Sequence, residues 1–418
     1  MNFFKSIKVR LLLLVPMLAI MGPGIITGFG NNDAGGITSY SIAGAHFGYS
    51  LLWVLFLTTF TLAITQEVGA RMGLVTGKGL ASLIREKFGV RWTAFIMAVL
   101  FVANAGTISA EFAGIAASLE IFNIPKYISI PIAVVGIFLL VTKGNFRKLE
   151  KIFLLVSFFY ISYAISAIIT HPDWTAAFKG LVIPQVQFDK NYIFILMAMI
   201  GTTITPWGQF FIQDYVVDKK LTKDDLKIER GDVFLGSFLA NLIAFFIIVA
   251  TAGTLFVQNI EISTAKDAAL ALHSLFGDFT TTLFGLGLLN ASLFGAAIVP
   301  ISTSYVITEA FGLESGLNHS FKQAPQFYAL LAVSLIIGSL MVLLPFVPLI
   351  TILVFFQAVN AVLLIPILIF LYILSNDKKI LGEYANNKFM NIVILLTLIG
   401  ISAAAVFYVI STFFPNLI

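Results

Sequence analysis

The sequence predicts an all-α polytopic membrane protein with eleven transmembrane helices, of which the first and the sixth are broken. Of the 418 residues, 59% are hydrophobic and only 11% are charged, whereas soluble domains carry roughly 25% charged residues. Basic residues collect in alternate loops between apolar runs, and two of those runs are interrupted by Gly, Pro, Asn and Thr. This composition excludes a soluble enzyme, and we expect no enzymatic activity.

Apolar runs of the length needed to cross a bilayer, about 20 residues, define the eleven spans. With short loops they fill the chain, so we expect a single transmembrane domain over residues 1–418. Boundaries read from hydropathy alone are approximate by a few residues. The predicted spans cover residues 11–46, 50–71, 92–119, 127–142, 152–170, 191–217, 232–257, 279–311, 327–345, 347–374 and 389–413.

The distribution of Lys and Arg predicts the orientation, since basic residues concentrate in cytoplasmic loops. All 25 basic residues except Lys126, Lys179, Lys190 and Lys266 fall in loops on one side, and none is expected inside a span. We therefore expect a plasma (cytoplasmic) membrane protein with its N-terminus in the cytoplasm and its C-terminus outside or in the periplasm. The net charge of +4 then reflects topology in a lipid bilayer, and no nucleic-acid partner is expected.

Acidic residues also fall within or at the ends of the apolar runs, where we expect no cation to neutralise them. An intramembrane carboxylate is a functional hypothesis by default, and buried acids without buried bases favour a bound cation. For Glu67 and Glu309, near span ends, we prefer a structural role such as helix capping. For Asp33 we prefer a functional role, and for Glu111 proton transfer and helix packing stay equally open.

Two spans are interrupted at matching positions, over residues 22–36 and 201–209. Gly, Asn and Asp lower helix propensity in the first, and Pro206 removes a backbone donor in the second. Unwound backbone at membrane depth is tolerated only where it lines a cavity or is buried in protein. Two breaks five spans apart indicate an inverted-repeat transporter with its substrate site between them. Repeat one would cover about residues 11–170, repeat two about 191–374, and residues 389–413 form an extra span.

Four short stretches in the first two spans follow a known pattern. They are Asp33-Ala34-Gly35-Gly36, His46-Phe47-Gly48-Tyr49, Leu51-Leu52-Trp53 and Arg71-Met72-Gly73-Leu74-Val75-Thr76-Gly77-Lys78. This part of the chain resembles the opening of the Nramp family of divalent-metal transporters, and the resemblance extends over essentially the whole sequence. It implies a LeuT-like fold. With Gly36, Thr205 and Ile108 at three of the family's motif positions, the chain is most similar to the Nramp-related magnesium transporter branch, which implies transport without proton coupling.

The departures from the Nramp pattern bear on the substrate. Asp33 matches the metal-binding Asp of the family's Asp-Pro-Gly-Asn motif, but Gly36 replaces the ligand Asn. The family's Met-Pro-His motif reads Thr-Pro-Trp at residues 205–207, so the thioether ligand is missing and a bulky Trp follows. Of the family's acid pair in the third span only Glu111 remains, with Ile108 at the other position.

The predicted metal ligands are all oxygens, which suit Mg²⁺, Ca²⁺ and Mn²⁺ rather than the softer transition ions. Mg²⁺ keeps several waters in protein sites, which fits a wide site with one strong carboxylate, and Mn²⁺ should pass too. No resident cofactor is expected. The candidate ligands are the Asp33 carboxylate, the carbonyls of Gly30 and Thr202, the Thr205 hydroxyl and the amides of Gln357 and Asn360, with Gly36, Trp207 and Glu111 lining the site.

We therefore expect a uniporter that moves Mg²⁺, and Mn²⁺, into the cytoplasm by alternating access, with the divalent ion as its substrate. All four histidines fall in predicted loops, so none is placed to relay protons at membrane depth. One alternative is a proton-coupled Mn²⁺ or Fe²⁺ symporter of the ordinary Nramp type. Another is a Na⁺-coupled amino-acid carrier, against which Asp33 argues because it would repel a substrate carboxylate.

Overall fold

The computed structural model describes residues 22–143, 160–270, 280–314, 316, 319–345 and 348–413. Within these residues the chain is almost wholly helical and contains no β-strand, which confirms the all-α class. The first eight helices are α1 (Pro23–Gly30), α2 (Ala34–Phe47), α3 (Leu52–Thr76), α4 (Leu80–Phe88), α5 (Val90–Glu120), α6 (Lys126–Lys143), α7 (Ile161–Ile169) and α8 (Trp174–Val182). They are followed by α9 (Lys190–Thr203), α10 (Pro206–Asp218), α11 (Leu226–Thr251), α12 (Ala265–Ala269), α13 (Thr280–Phe311), α14 (Pro325–Leu343), α15 (Leu349–Ser375), α16 (Lys378–Leu381) and α17 (Lys388–Phe413).

Each of the eleven predicted spans contains at least one helix among the described residues. In the described part of the chain, nine helical segments are long and apolar enough to cross a membrane. The sixth predicted span is counted as one segment across its break, whereas the first, which is divided into the short helices α1 and α2, is not among the nine. The fifth is described only from residue 160, so residues 152–159 of that prediction, like residues 11–21 of the first, lie outside the described residues.

The helix of the second predicted span extends beyond the predicted end at residue 71, and it contains a buried basic residue. Helix α3 continues to Thr76, so Arg71 lies inside it with only 1% of its surface exposed. Its Nε lies 3.1 Å from a carboxylate oxygen of Glu67, and Arg230 Nε approaches the same carboxylate to 2.6 Å. The assignment of Arg71 to a loop, made from its charge, is therefore wrong, because Arg71 is a buried residue of the helix that contains the second span. Glu67 is an ion-paired structural acid rather than an unneutralised one.

The broken spans are held against long helices. Helix α1 lies along α11, while α5 packs against α13 and α15. At Gly28 the α1–α11 contact is close enough that an added Cβ would lie 2.7 Å from the Gly236 carbonyl oxygen. Asp232 on α11 accepts a hydrogen bond from the Gly24 amide at 2.6 Å, which caps the N-terminus of α1. These contacts fix the half-helix that leads to the first break.

Candidate cation site between the broken helices

The first break is a three-residue interruption between α1 and α2, and Asp33 closes it. Asp33 is the N-cap of α2, and its Oδ1 accepts a hydrogen bond from the Gly36 amide at 2.7 Å. Aspartate suits this position because its side chain satisfies a free amide and its charge is stabilised by the helix dipole. The side chain is fully buried, and Oδ2 has no hydrogen-bond partner in the described structure. Asp33 thus presents one unpaired oxygen at the break.

The second break lies between α9 and α10, and it is built in a similar way. Thr205 is the N-cap of α10, and its hydroxyl accepts a hydrogen bond from the Gly208 amide at 3.3 Å. Pro206 follows at the first helical position, where a missing amide hydrogen costs nothing. The same hydroxyl donates to the side-chain oxygen of Asn31 at 3.1 Å. The two breaks are therefore joined directly.

Oxygen atoms from both breaks converge around Gly36. A Cβ added there would lie 2.5 Å from the Asn31 carbonyl oxygen, 3.0 Å from the Thr202 hydroxyl and 3.4 Å from Asp33 Oδ1. The wide site expected from the sequence is not seen in this conformation, because these oxygens close in around Gly36. A carboxylate, a carbonyl and a hydroxyl within reach of one point form a donor set that suits hard cations.

Gly30 and Trp207 meet on the other side of the break. Gly30 is the last residue of α1, where helix carbonyls lose their intrahelical partners. The Trp207 ring covers it so closely that a Cβ at Gly30 would lie 2.8 Å from the indole. Trp207 is fully buried and packs edge-on against Phe211, with their ring centroids 5.6 Å apart. Its bulk seals the break on the α10 side.

Glu111 reaches the first break from α5. Its Oε2 accepts a hydrogen bond from the Ala34 amide at 3.4 Å, in the first turn of α2. The side chain is fully buried and its carboxyl group contacts that of Asp33. Glu111 therefore adjoins the candidate ligand rather than standing apart from it, which the third-span motif alone did not reveal.

Gln357 and Asn360 lie on α15, but only Gln357 touches the breaks. Its side chain is pressed against Gly35, and its backbone carbonyl against Gly201, so it contacts both broken spans. Asn360 is one turn further on and donates to Gln357 Oε1 at 3.1 Å and to the Thr107 hydroxyl at 2.8 Å. Asn360 thus orients Gln357 from the α5 side and makes no direct hydrogen bond to a break.

The sequence analysis missed two residues that shape the break. Asn31 supplies both a carbonyl oxygen near Thr202 and the side-chain link to Thr205. Tyr160 donates its hydroxyl to the Asn32 carbonyl at 2.7 Å, which satisfies an unwound backbone group. The Gly-Asn-Asn run marked Asn31 as part of the break, but nothing in the sequence indicated that Tyr160 would reach it.

Fold and site together define a polytopic membrane protein with two interrupted spans enclosing an oxygen-lined site. The family model "Natural resistance-associated macrophage protein-like" (Nramp) matches residues 24–411. The chain belongs to the Nramp family.

The relatives found by sequence include bacterial transporters. The chain is 27% identical to the divalent metal cation transporter MntH of Yersinia pestis (strain Pestoides F), over 92% of this chain and 94% of that protein. It is 26% identical to the divalent metal cation transporter MntH of Bacillus subtilis (strain 168), over 95% and 93%.

Solved structures agree on the fold. The manganese transporter of Eremococcus coleocola superimposes with a TM-score of 0.81 at 20% identity, over 96% of this chain and 87% of that one. MhsT in complex with L-phenylalanine gives a TM-score of 0.61 at 14% identity, over 94% and 98%. At these identities the comparison establishes the fold alone, which is LeuT-like with two broken spans.

Proposed function

We propose that this protein is a uniporter that carries Mg²⁺, and Mn²⁺, into the cytoplasm by alternating access without proton coupling. The observation that carries the proposal is the donor set around Gly36, which consists of the Asp33 carboxylate, the Asn31 carbonyl and the Thr202 hydroxyl. These are hard oxygen donors, and Thr205 stands where the family motif has a thioether. Such a set favours Mg²⁺ and Mn²⁺ over Fe²⁺ and later transition ions.

The low charge of the site supports a partly hydrated ion. Asp33 is the one carboxylate among the proposed ligands, and the other proposed donors, from Gly30, Thr202, Thr205, Gln357 and Asn360, are neutral. Mg²⁺ is commonly held by one or two carboxylates while it keeps several waters. The water shell would be accommodated when the two halves separate, since the breaks are packed tightly in the present conformation.

The driving force in this proposal is the membrane potential. Moving charge across the membrane is worth about 2.3 kcal/mol per elementary charge per 100 mV, so an inside-negative potential pulls a dication inward. We place the protein in the plasma (cytoplasmic) membrane. The concentration of Lys and Arg in alternate loops supports an orientation with the N-terminus in the cytoplasm and the C-terminus outside or in the periplasm. The two repeats, about residues 11–170 and 191–374, would move against each other around the site.

A proton-coupled Mn²⁺ symporter is the second candidate, and one observation favours it. Glu111 is a second buried carboxyl group in contact with Asp33, so a proton held there would respond to the arrival of a cation. The names of the relatives also refer to divalent metal and manganese transport. The absence of the family's other third-span acid, at Ile108, weighs against a relay that continues beyond Glu111.

Ion uptake into proteoliposomes with a trapped pH dye separates the two candidates. Mg²⁺ and Mn²⁺ uptake would be measured at a clamped inside-negative potential, with Asp33→Ala and protein-free liposomes as controls. We expect Mg²⁺ to enter without acidification of the lumen and the Asp33→Ala variant to be inactive. Entry of Mn²⁺ alone, accompanied by acidification, would overturn uniport and establish a symporter that uses Glu111.

A further inference from the structure

A second group of acidic side chains lies apart from the breaks, where the turn between α3 and α4 meets α10 and α13. Asp214 belongs to α10, and Glu309 to the last turn of α13. Asp214 follows the N-cap Thr205 by nine residues, which corresponds to about 13 Å along a helix. The proposed orientation puts this region at the cytoplasmic end of the protein. It is therefore separate from the oxygen cluster at Gly36.

The Lys78–Gly79 peptide group organises this cluster. Glu309 accepts hydrogen bonds from the Gly79 amide at 2.8 Å and from the Ser82 hydroxyl at 2.8 Å, and so caps the N-terminus of α4. This confirms the capping role expected for Glu309. A Cβ added at Gly79 would clash with carboxylate oxygens of both Asp214 and Glu309. The two carboxylates thus converge on the same side of one glycine.

Three oxygen atoms of the cluster, two from Asp214 and one from Gln213, accept no hydrogen bond from an amide or hydroxyl group in the described structure. Both carboxylate oxygens of Asp214 are inaccessible to solvent and accept no hydrogen bond from an amide or hydroxyl group, and the carboxyl group contacts that of Glu309. Gln213 is fully buried; its amide nitrogen donates to the Lys78 carbonyl at 2.8 Å, while its amide oxygen is left without a partner. Because Lys78 and Gly79 share one peptide group, the Gln213 amide and the Glu309 carboxylate flank the same backbone unit.

The cluster also lacks a neutralising base. Lys78 Nζ pairs with Glu86 at 2.6 Å instead, and Arg85 donates to the Ala310 carbonyl at 2.9 Å. Within the described residues neither Asp214 nor Glu309 forms an ion pair. Two converging carboxylates with buried oxygens are costly unless a proton or a cation lies between them.

We infer that Asp214, Glu309 and Gln213 form a second binding site for a hard divalent cation, Mg²⁺ foremost. Two carboxylates and an amide oxygen are donors that such ions prefer, and the bound ion would link α10 to α13 through the Gly79 turn. The binding site stands on this geometry alone. Its role as an intermediate binding site, which the transported ion occupies before release into the cytoplasm, rests on the proposed function.

Counting bound ions on the purified full chain tests the site. Free Mn²⁺ would be followed by its EPR signal, which is lost on binding, with Mg²⁺ and K⁺ as competitors. The variants are Asp33→Ala, the double variant Asp214→Asn with Glu309→Gln, and the combination of all three. Glu86→Gln is the matched control, because it removes an exposed carboxylate from the same turn region without touching the cluster.

We expect two Mn²⁺ ions per wild-type chain, one in Asp33→Ala, one in the double variant and none in the combination. Mg²⁺ should displace Mn²⁺, and it should raise the melting temperature of Asp33→Ala but not of the combined variant. Equal binding by Asp33→Ala and the combined variant, with both melting cooperatively, would overturn the second site. If instead Asp33→Ala binds as many ions as wild type and the double variant still loses one, the proposed transport site fails and the second site stands.

Discussion

Asp33 and Glu111 accept hydrogen bonds from the same helical turn, Asp33 from the Gly36 amide at 2.7 Å and Glu111 from the Ala34 amide at 3.4 Å. Each carboxyl group keeps one oxygen without a hydrogen-bond partner in the described structure. Two carboxyl groups this close in a buried place need a proton or a cation between them, while the N-terminus of α2 stabilises one negative charge. Under the proposed function, this pair is where cation binding and protonation would compete.

Asp33→Asn separates the ligand role of Asp33 from its capping role. Asn caps helices about as well as Asp, so α2 should be retained while the charge is lost. We expect Mg²⁺ uptake to fall at least about tenfold, equivalent to about 1.4 kcal/mol. The measurement is radiometric or dye-reported uptake into proteoliposomes. Asp173→Asn, at the exposed N-cap of α8, should transport normally, and unchanged uptake by Asp33→Asn would contradict the ligand role.

Thr205→Met should shift the ion preference. A thioether suits softer ions, so uptake of Mn²⁺ relative to Mg²⁺ should rise, and Mg²⁺ uptake itself should fall. Competition of Mn²⁺ uptake by excess Mg²⁺ measures the ratio. Thr205→Ser keeps the hydroxyl that bonds to Asn31 and Gly208 and should retain the wild-type preference. An unaltered ratio in Thr205→Met would remove Thr205 from the selectivity determinants.

Gly36→Ala should disrupt the oxygen cluster. The new Cβ would lie 2.5 Å from the Asn31 carbonyl oxygen, and overpacking of this kind costs about 1–3 kcal/mol. We expect uptake to be strongly reduced, with a lower melting temperature. Gly136→Ala on α6 is the control, since an added Cβ there meets nothing within 4 Å and helix propensity favours alanine. Normal uptake by Gly36→Ala would show that the cluster is not on the ion's route.

Glu111→Gln tests proton coupling without removing the acceptor for the Ala34 amide. If Glu111 stays protonated during uniport, the Gln side-chain amide is a close replacement for its neutral carboxyl group. Mg²⁺ uptake should then stay within about twofold of wild type, equivalent to about 0.4 kcal/mol. The trapped dye should report no acidification in either protein. Loss of uptake together with loss of a proton flux present in wild type would instead assign Glu111 to a coupled pathway.

Glu67→Gln should destabilise the protein, because it leaves the buried Arg71 guanidinium without a charged partner. Breaking such a buried pair costs about 3–5 kcal/mol. Arg230 is 45% exposed, and Arg230→Gln should cost less than about 1 kcal/mol. Thermal unfolding in detergent would compare the two variants. Equal melting temperatures would mean that Arg71 is held by its contacts with Tyr384 and Asn386 rather than by Glu67.

Features that depend on local composition were predictable from the sequence. The apolar helices follow from the lengths of apolar runs, and both breaks follow from residues that disfavour helix at those points. Asp33 stood out because a carboxylate within such a run needs a partner. The end of α3 was misplaced since Arg71 looks like a loop residue by charge, yet Glu67 one turn earlier pairs with it inside the helix.

The sequence by itself determined the class of protein, the approximate positions of its apolar helices, the location of both breaks and the acid at the first of them, because hydropathy and helix propensity act between near neighbours. Only the tertiary structure decided which groups meet there. Asn31 reaches Thr205 across 174 residues, Glu111 reaches Ala34 across 77, and Tyr160 reaches Asn32 across 128. Such contacts depend on how rigid helices pack against one another. Side chains that pair over those separations produce no periodic pattern in the amino-acid sequence from which the contact could be predicted.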